Sequence, residues 1–326
     1  MKKLIFISIF FVIPQFLFPL DFKKVGVILY SKAFYQDFQG FCNGLNELGY
    51  IENRNIIYYV KDIKTNLKLI KSILNEFKKK NVDLILTTTT PVTLTVKKFI
   101  NKYKIPVIFN EVGAPVKSGI VQSIKKPGGY LTGVNYLAFD LLPKKVELFK
   151  DAFPFLNSLI FFYNPEKSNF YIRKGDILNN LKKISSLLNI KLYPLSSKNR
   201  KEMINQISHF KVRKDMGILM FPDADALANV DLILKFSKNK KLPLMVIDTN
   251  LLKKGGCISY APSFYNVGKQ SALIAEQIFK GVFPGNIPVE LPKDIELIVN
   301  YREIKKLGLT FYFNKQYLLY ADKVIK

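Results

Sequence analysis

Hydrophobic and polar positions along this chain alternate between two periods. Val25-Gly26-Val27-Ile28-Leu29-Tyr30 and Val82-Asp83-Leu84-Ile85-Leu86-Thr87 are short apolar runs of the kind buried on both faces of a parallel sheet. Between them, Phe34, Phe38, Phe41, Leu45 and Leu48 step by three and four, which predicts an amphipathic helix over 34–48 ended by Gly49. Ile56 to Val60 reads as a strand, and Leu67, Ile70, Leu74 and Phe77 mark the next helix. Thr90 before Pro91 predicts a helix start, with the threonine as N-cap and the proline in the first turn. Pro106 to Asn110 is another strand. Residues 111–135, punctuated by Gly113, Pro115, Gly119, Pro127-Gly128-Gly129 and Gly133, predict a crossing between lobes. A helix over 140–153 follows, then helices carrying Ile177, Leu181, Ile184 and Leu188 and later Leu227, Val230 and Leu234. Gly255-Gly256 and Tyr260-Ala261-Pro262 predict a second crossing, before a helix over 264–280, a strand from Glu296 to Asn300 and two short helices.

The pattern occurs twice. Val25 to Tyr30 matches Ser158 to Tyr163, Val82 to Thr87 matches Met216 to Phe221, and Lys104-Ile105-Pro106 matches Lys241-Leu242-Pro243, at offsets of 133, 134 and 137 residues. Alternating strands and helices imply parallel sheets flanked by helices. The α/β class in two similar lobes follows, with a cleft between them for a small molecule. The expected division is a leader over 1–20, a first lobe over 22–134 plus about 262–297, and a second over about 135–261 plus 298–326.

The first twenty residues differ in kind. Lys2-Lys3 precede an apolar run from Leu4 to Leu20 interrupted by Ser8, Pro14 and Gln15, the form of a secretory signal peptide. A periplasmic or otherwise extracytoplasmic location is expected. No small-x-small cleavage site is visible near Pro19-Leu20-Asp21, so cleavage and retention as an anchor both stay open. The formal charge of +25 invites a nucleic-acid reading, but the lysines are scattered over every helix and loop, so no nucleic-acid partner is expected. Cys42 and Cys257 fall in different repeats and are expected to be unpaired.

Ligands in parallel α/β sheets sit beyond the carboxyl ends of the strands. That rule selects Ser31, Phe34 and Tyr35 after the first strand, Thr88, Thr89 and Thr90 after the third, and Asn110 and Glu111 after the fourth. In the second repeat it selects Asn164 to Asn169, Asp223 and Asp225, and Asp248 to Asn250. Hydroxyls and a helix N-terminus on one rim suit an anion, and carboxylates on the other suit an ammonium group. Each residue has a plainer use, since threonines and aspartates routinely cap helices. Catalytic and metal-binding patterns are lacking: His209 lies within a helix, no serine occupies a nucleophile elbow, and no His/Cys cluster suits zinc. No cofactor is expected. An exported hydrolase or carbohydrate-acting enzyme using Asp223 and Asp225 is the alternative reading.

Gly44-Leu45-Asn46-Glu47-Leu48-Gly49-Tyr50-Ile51-Glu52-Asn53-Arg54-Asn55-Ile56 resembles the early signature of a family of bacterial ABC-transporter substrate-binding proteins with tryptophan- or aromatic amino acid-binding members. Gly113-Ala114-Pro115-Val116, Gly119-Ile120-Val121, Lys126-Pro127-Gly128-Gly129, Leu131-Thr132-Gly133-Val134 and Ile287-Pro288-Val289-Glu290 continue it, over most of residues 23–326. The resemblance implies a type I periplasmic-binding fold: two Rossmann-like lobes joined by hinge crossings. It also implies a monomer that delivers a small solute to ABC permease subunits. By the same analogy the pocket draws on Thr89, Thr90, Thr132 and Asn135 from the first lobe and crossing. Asn164, Ser168, Asp223 and Asp248 come from the second. Ala114 departs from the family, which usually carries an acidic residue there, and Glu111 is a candidate substitute.

Overall fold

The computed structural model describes residues 22–137, 139–167 and 176–326, so the expected leader lies outside the described residues. β1 (Lys23–Leu29), β2 (Ile56–Asp62), β3 (Leu84–Thr88), β4 (Val107–Val112) and β5 (Leu131–Asn135) form a parallel sheet in the order β2-β1-β3-β4-β5. β6 (Ser158–Tyr163), β7 (Lys191–Ser196), β8 (Met216–Leu219), β9 (Leu244–Val246) and β10 (Ile258–Ala261) repeat that order as β7-β6-β8-β9-β10. Here β11 (Glu296–Asn300) adds antiparallel to β10, and β12 (Lys323–Ile325) adds parallel to β11. The repeat extends to backbone detail. Lys104 (φ 54°, ψ 35°) and Lys241 (φ 52°, ψ 41°) both end their helices in the left-handed region. In each copy the residue before the following proline is pushed to extended backbone, so the helix must end there.

The helices are α1 (Tyr35–Glu47), α2 (Ile70–Lys79), α3 (Thr90–Tyr103), α4 (Leu142–Ala152), α5 (Asp176–Leu187), α6 (Arg200–His209), α7 (Ala224–Ala228), α8 (Val230–Lys240) and α9 (Phe264–Phe279), with two short ones after β11. Three details differ from the sequence reading. Residues 131–135 are not part of a crossing but the fifth strand of the first sheet, where Gly133 allows the backbone of Phe109 to approach: a Cβ there would lie 2.0 Å from the Phe109 carbonyl oxygen. The stretch with Leu227, Val230 and Leu234 is two helices, parted at Asn229 (φ −111°, ψ 26°). Thr90 is the first helical residue of α3, and Thr89 holds the cap position at φ 72° and ψ 151° without a side-chain cap bond.

α9 comes back from the second sheet to lie against α1. The helices touch backbone to backbone: a Cβ on Gly40 would stand 1.9 Å from the Tyr265 carbonyl oxygen, and one on Gly268 1.9 Å from that of Asp37. This contact fixes α1, and with it Asp37, behind the end of β4. Cys42 and Cys257 are both free thiols, and burial pushes each up to about 12. Among the described residues no helix is long and apolar enough to cross a membrane.

Candidate functional site

A cavity opens where the carboxyl ends of the two sheets face each other, with about 580 Å³ of unfilled space, its mouth included. Phe34, Thr89, Thr90, Pro91, Glu111 and Gly113 line it from the first lobe. Lys167, Pro222, Asp223, Ala224, Asp225 and Leu227 line it from the second, and Tyr136, Phe139, Ile247 and Phe264 from the connecting segments. Phe34 stacks on Phe264 with ring centres 5.7 Å apart and planes 24° apart, and Tyr136 tilts against Phe264 at 5.1 Å. The Tyr136 hydroxyl reaches the carbonyls of Ile247 and Pro262, so its ring is held at both ends. The result is an aromatic wall in a polar surround, the usual composition of a small-molecule site.

The threonine rim is shaped by backbone. Thr89 sits at positive φ, and its carbonyl accepts from the Thr93 N–H at 3.1 Å and the Thr93 hydroxyl at 2.8 Å. The Thr89 side chain is therefore released from capping. It is 3% exposed, and its Oγ1 has no hydrogen-bond partner among the described residues. A buried hydroxyl without a partner beside a helix N-terminus is suited to donate to an anion.

The aspartates across the cleft are already engaged. Asp223 caps α7 by accepting from the Ala226 N–H at 2.7 Å, and its other oxygen accepts from the Asn164 N–H at 3.0 Å. Asp225 joins the two lobes. Its Oδ1 accepts from the Tyr30 hydroxyl at 2.7 Å and the Lys167 ammonium at 3.0 Å, and its Oδ2 from Asn164 Nδ2 at 2.7 Å. Lys167 also donates to the Tyr30 hydroxyl oxygen at 2.7 Å. Burial, reinforced by Asp225, raises the Tyr30 phenol far above its ordinary value, so it stays protonated and donates. Tyr30 directly follows β1 and Asp225 lies in the first turn of α7, so this cluster forms a latch across the cleft between the two lobes.

Of the residues selected from sequence, Thr89, Thr90 and Asp223 line the cavity. Phe34, Glu111 and Asp225, named as strand-end residues, line it too. The others stand elsewhere. The Ser31 hydroxyl caps a short turn by accepting from the Ala33 N–H at 3.4 Å, and Tyr35 is 46% exposed against Phe38. Asn110 is wholly buried behind the wall and donates to Asp37 Oδ1 at 3.1 Å and to Ser271 Oγ at 3.0 Å. Thr132 donates to the Ile287 carbonyl at 2.8 Å, and Asn135 Oδ1 accepts from the Leu137 N–H at 3.1 Å. Both hold the connecting segments. Asn164 orients Asp223 and Asp225 from behind. Asp248 accepts from the Phe264 N–H at 3.0 Å, which positions the stacked ring, and burial pushes its carboxyl up to about 6. Ser168 lies outside the described residues. Lys167 falls in the selected segment Asn164 to Asn169 and lines the cavity too, whereas Tyr136, Phe139 and Phe264 were missed; the available signal was an aromatic pair just past β5.

The profile of a family described as ABC transporter substrate-binding proteins matches residues 24–325. The chain belongs to that family. Members bind small solutes outside the cytoplasm and work with membrane permeases. The tyrosine-binding protein of Clostridioides difficile (strain R20291) is 26% identical over 274 residues, covering 83% of this chain and 76% of that protein. Among solved structures, an ABC domain in complex with L-Trp from Streptococcus pneumonia superposes with a TM-score of 0.79 at 19% identity, covering 93% of this chain and all of that one (100%). A ligand-free, open substrate-binding protein with adhesive properties from Clostridium difficile gives 0.61 at 22% identity, covering 88% and 95%. This substrate-binding protein therefore has the periplasmic-binding fold, with its cavity in the cleft between two lobes.

Proposed function

We propose that this substrate-binding protein captures an aromatic L-amino acid. The observation that carries this reading is the lining of one cavity: Phe34, Tyr136, Phe139 and Phe264, Thr89 with its unpaired hydroxyl at the start of α3, and the acidic Glu111. The rings would enclose the side chain. Thr89 and the N-terminus of α3 would take the carboxylate, through hydroxyl and helix dipole together. The acidic wall would face the ammonium. The tyrosine-binding relative and the L-Trp complex support the same class.

Closure is part of the function. The Tyr30–Asp225–Lys167 latch spans the lobes, and the higher overlap with the L-Trp complex than with the open ligand-free protein agrees with a closed cleft. A solute that touches both walls stabilises the closed state by its differential affinity for it. The carboxyl oxygens of Asp223 and Asp225 are taken up by the cap and the latch, which supports a receptor over a hydrolase using them. The apolar N-terminal stretch supports an extracytoplasmic receptor, which we take to be a monomer without a nucleic-acid partner.

A thermal-shift screen tests this. L-Tyrosine, L-phenylalanine or L-tryptophan is expected to raise the melting temperature, while myo-inositol and glucose leave it unchanged; at a hundred times Kd the gain is about 2.7 kcal/mol. Stabilisation by a polyol alone would refute the aromatic assignment.

A further inference from the structure

Behind the cavity the first lobe buries two carboxyl groups against each other. Glu111 comes from the irregular end of β4, where pairing with β5 shifts register and its backbone holds φ 57°. Glu111 lines the cavity, and both its carboxyl oxygens are shielded from solvent. Asp37, in the first turn of α1, is wholly buried. The two carboxyl groups lie near enough to act on each other, and both are buried away from solvent. Burial disfavours both charges and the two acids repel each other, which together favour one proton held by the pair. Among the described residues, Asn110 Nδ2 donates to the pair, at 3.1 Å from Asp37 Oδ1. Asp37 Oδ2 and both Glu111 oxygens receive no N–H or hydroxyl from other described residues.

The groups that act on the pair are neutral or anionic. Asp248 faces Glu111, and the Tyr136 and Cys42 side chains lie near enough for the two acids to raise their pKa values. Across the cavity stand Asp223 and the Asp225–Lys167 ion pair. The Lys167 ammonium is committed to Asp225 and Tyr30. Burial, then the mutual repulsion of the acids, raises the Glu111 carboxyl, and burial raises that of Asp37. A buried acid pair with open oxygens is costly unless a partner compensates it. Thr89, a residue 3% exposed whose Oγ1 has no hydrogen-bond partner among the described residues, lines the same cavity.

Resting on the aromatic amino acid reading above, we propose that Asp37 and Glu111 together are the counter-charge for the solute's ammonium group, and that their shared proton leaves to solvent as the ammonium docks on Glu111. The ammonium keeps its hydrogens and donates to the freed Glu111 oxygen. The pair passes from one negative charge to two, balanced in part by the arriving cation. Because the complex binds fewer protons than the free receptor, affinity rises with pH until the free pair has itself lost the proton. By the same linkage the ligand-free native state holds a proton that the unfolded chain has released, so its stability falls as pH rises from the ordinary carboxyl range toward neutrality.

Two measurements on the full chain test this. Calorimetry with L-tyrosine and L-phenylalanine, in buffers of different ionisation enthalpy, reads proton release. Wild type is expected to release up to one proton per solute near neutral pH, and its affinity to climb by up to about tenfold per pH step. Glu111→Gln is expected to bind at least about tenfold more weakly at pH 8 and to lose that slope. Urea unfolding without solute at pH 5 and pH 8 is the second arm. Wild type is expected to lose stability over that interval, and Glu111→Gln and Asp37→Asn to lose clearly less. Solute binding with no proton release, or with the same pH slope in Glu111→Gln, overturns the proposal. If none of L-tyrosine, L-phenylalanine and L-tryptophan binds, the functional reading fails separately. The acid pair is then judged on unfolding alone, and coincident pH dependences in wild type and Glu111→Gln overturn it.

Discussion

Gly268→Val is expected to abolish folding of the first lobe, and Gly268→Ala to cost about 3 kcal/mol or more. The hydrogen that Gly268 carries in place of a side chain faces the α1 backbone. An added Cβ would lie 1.9 Å from the Asp37 carbonyl oxygen and 2.9 Å from the Phe41 nitrogen. Both are main-chain atoms, and neither can move without shifting the helix. Gly40 makes the reciprocal contact with Tyr265, so no sliding of one helix along the other relieves the clash. The consequence reaches the site, because Asn110 is clamped between Asp37 on α1 and Ser271 on α9. Gly49→Ala is the control. Its φ of 89° is strained for alanine but nothing lies within 4 Å, so a loss of only about 1 kcal/mol is expected. Urea denaturation of the three variants checks the order.

The second large effect falls on affinity. Asp225→Ala is expected to weaken solute binding about thirtyfold, near 2 kcal/mol, with a much smaller change in the unfolding midpoint of the ligand-free protein. Its carboxylate is the point where Tyr30 of the first lobe meets Lys167 and Asn164 of the second. Without it the Lys167 side chain, 27% exposed, is left without its carboxylate, and the closed state loses the bonds from Tyr30 and Lys167 to Asp225. The figure is set below that of a fully buried ion pair because the pair keeps some contact with water. Tyr30→Phe removes a single hydrogen bond and is expected to cost about 1 kcal/mol. Calorimetric titration of the variants with L-tyrosine reads both. Equal affinities in wild type and Asp225→Ala would mean that the latch plays no part in closure.

The sheets and most helices were legible because each buries a face with its own period. Phe38, Phe41 and Leu45 sit inside α1 at helical spacing, and Val82 to Thr87 reads as a buried strand before any contact is known. The repeat was legible for the same reason, since the Lys-x-Pro ends of α3 and α8 are local signals. Contacts between distant segments left no such trace. Gly40 and Gly268 are unremarkable helix glycines until α9 is laid on α1. Asp37 reads as a charged residue next to an apolar stripe, yet it is buried because α9 and Asn110 close over it. The strand-end rule found Thr89, Glu111, Asp223 and Asp225. It also selected Ser31 and Asn110, because a position past a strand does not say whether a side chain points into the cleft or back into the protein. Tyr136 escaped it because residues 131–135 read as a crossing rather than a strand, and Phe264 because the segment before it, Tyr260-Ala261-Pro262, read as the second crossing.

The absence of tryptophan from the chain, against 17 tyrosines, allows the central claim to be read from the solute itself. L-Tryptophan excited at the red edge of its absorption, where tyrosine is silent, is titrated with the protein and its fluorescence anisotropy followed. A saturable rise in anisotropy, reversed by L-tyrosine and unaffected by myo-inositol, is the predicted result. An anisotropy that stays at the free value at high protein concentration, while a polyol raises the melting temperature, would contradict the account.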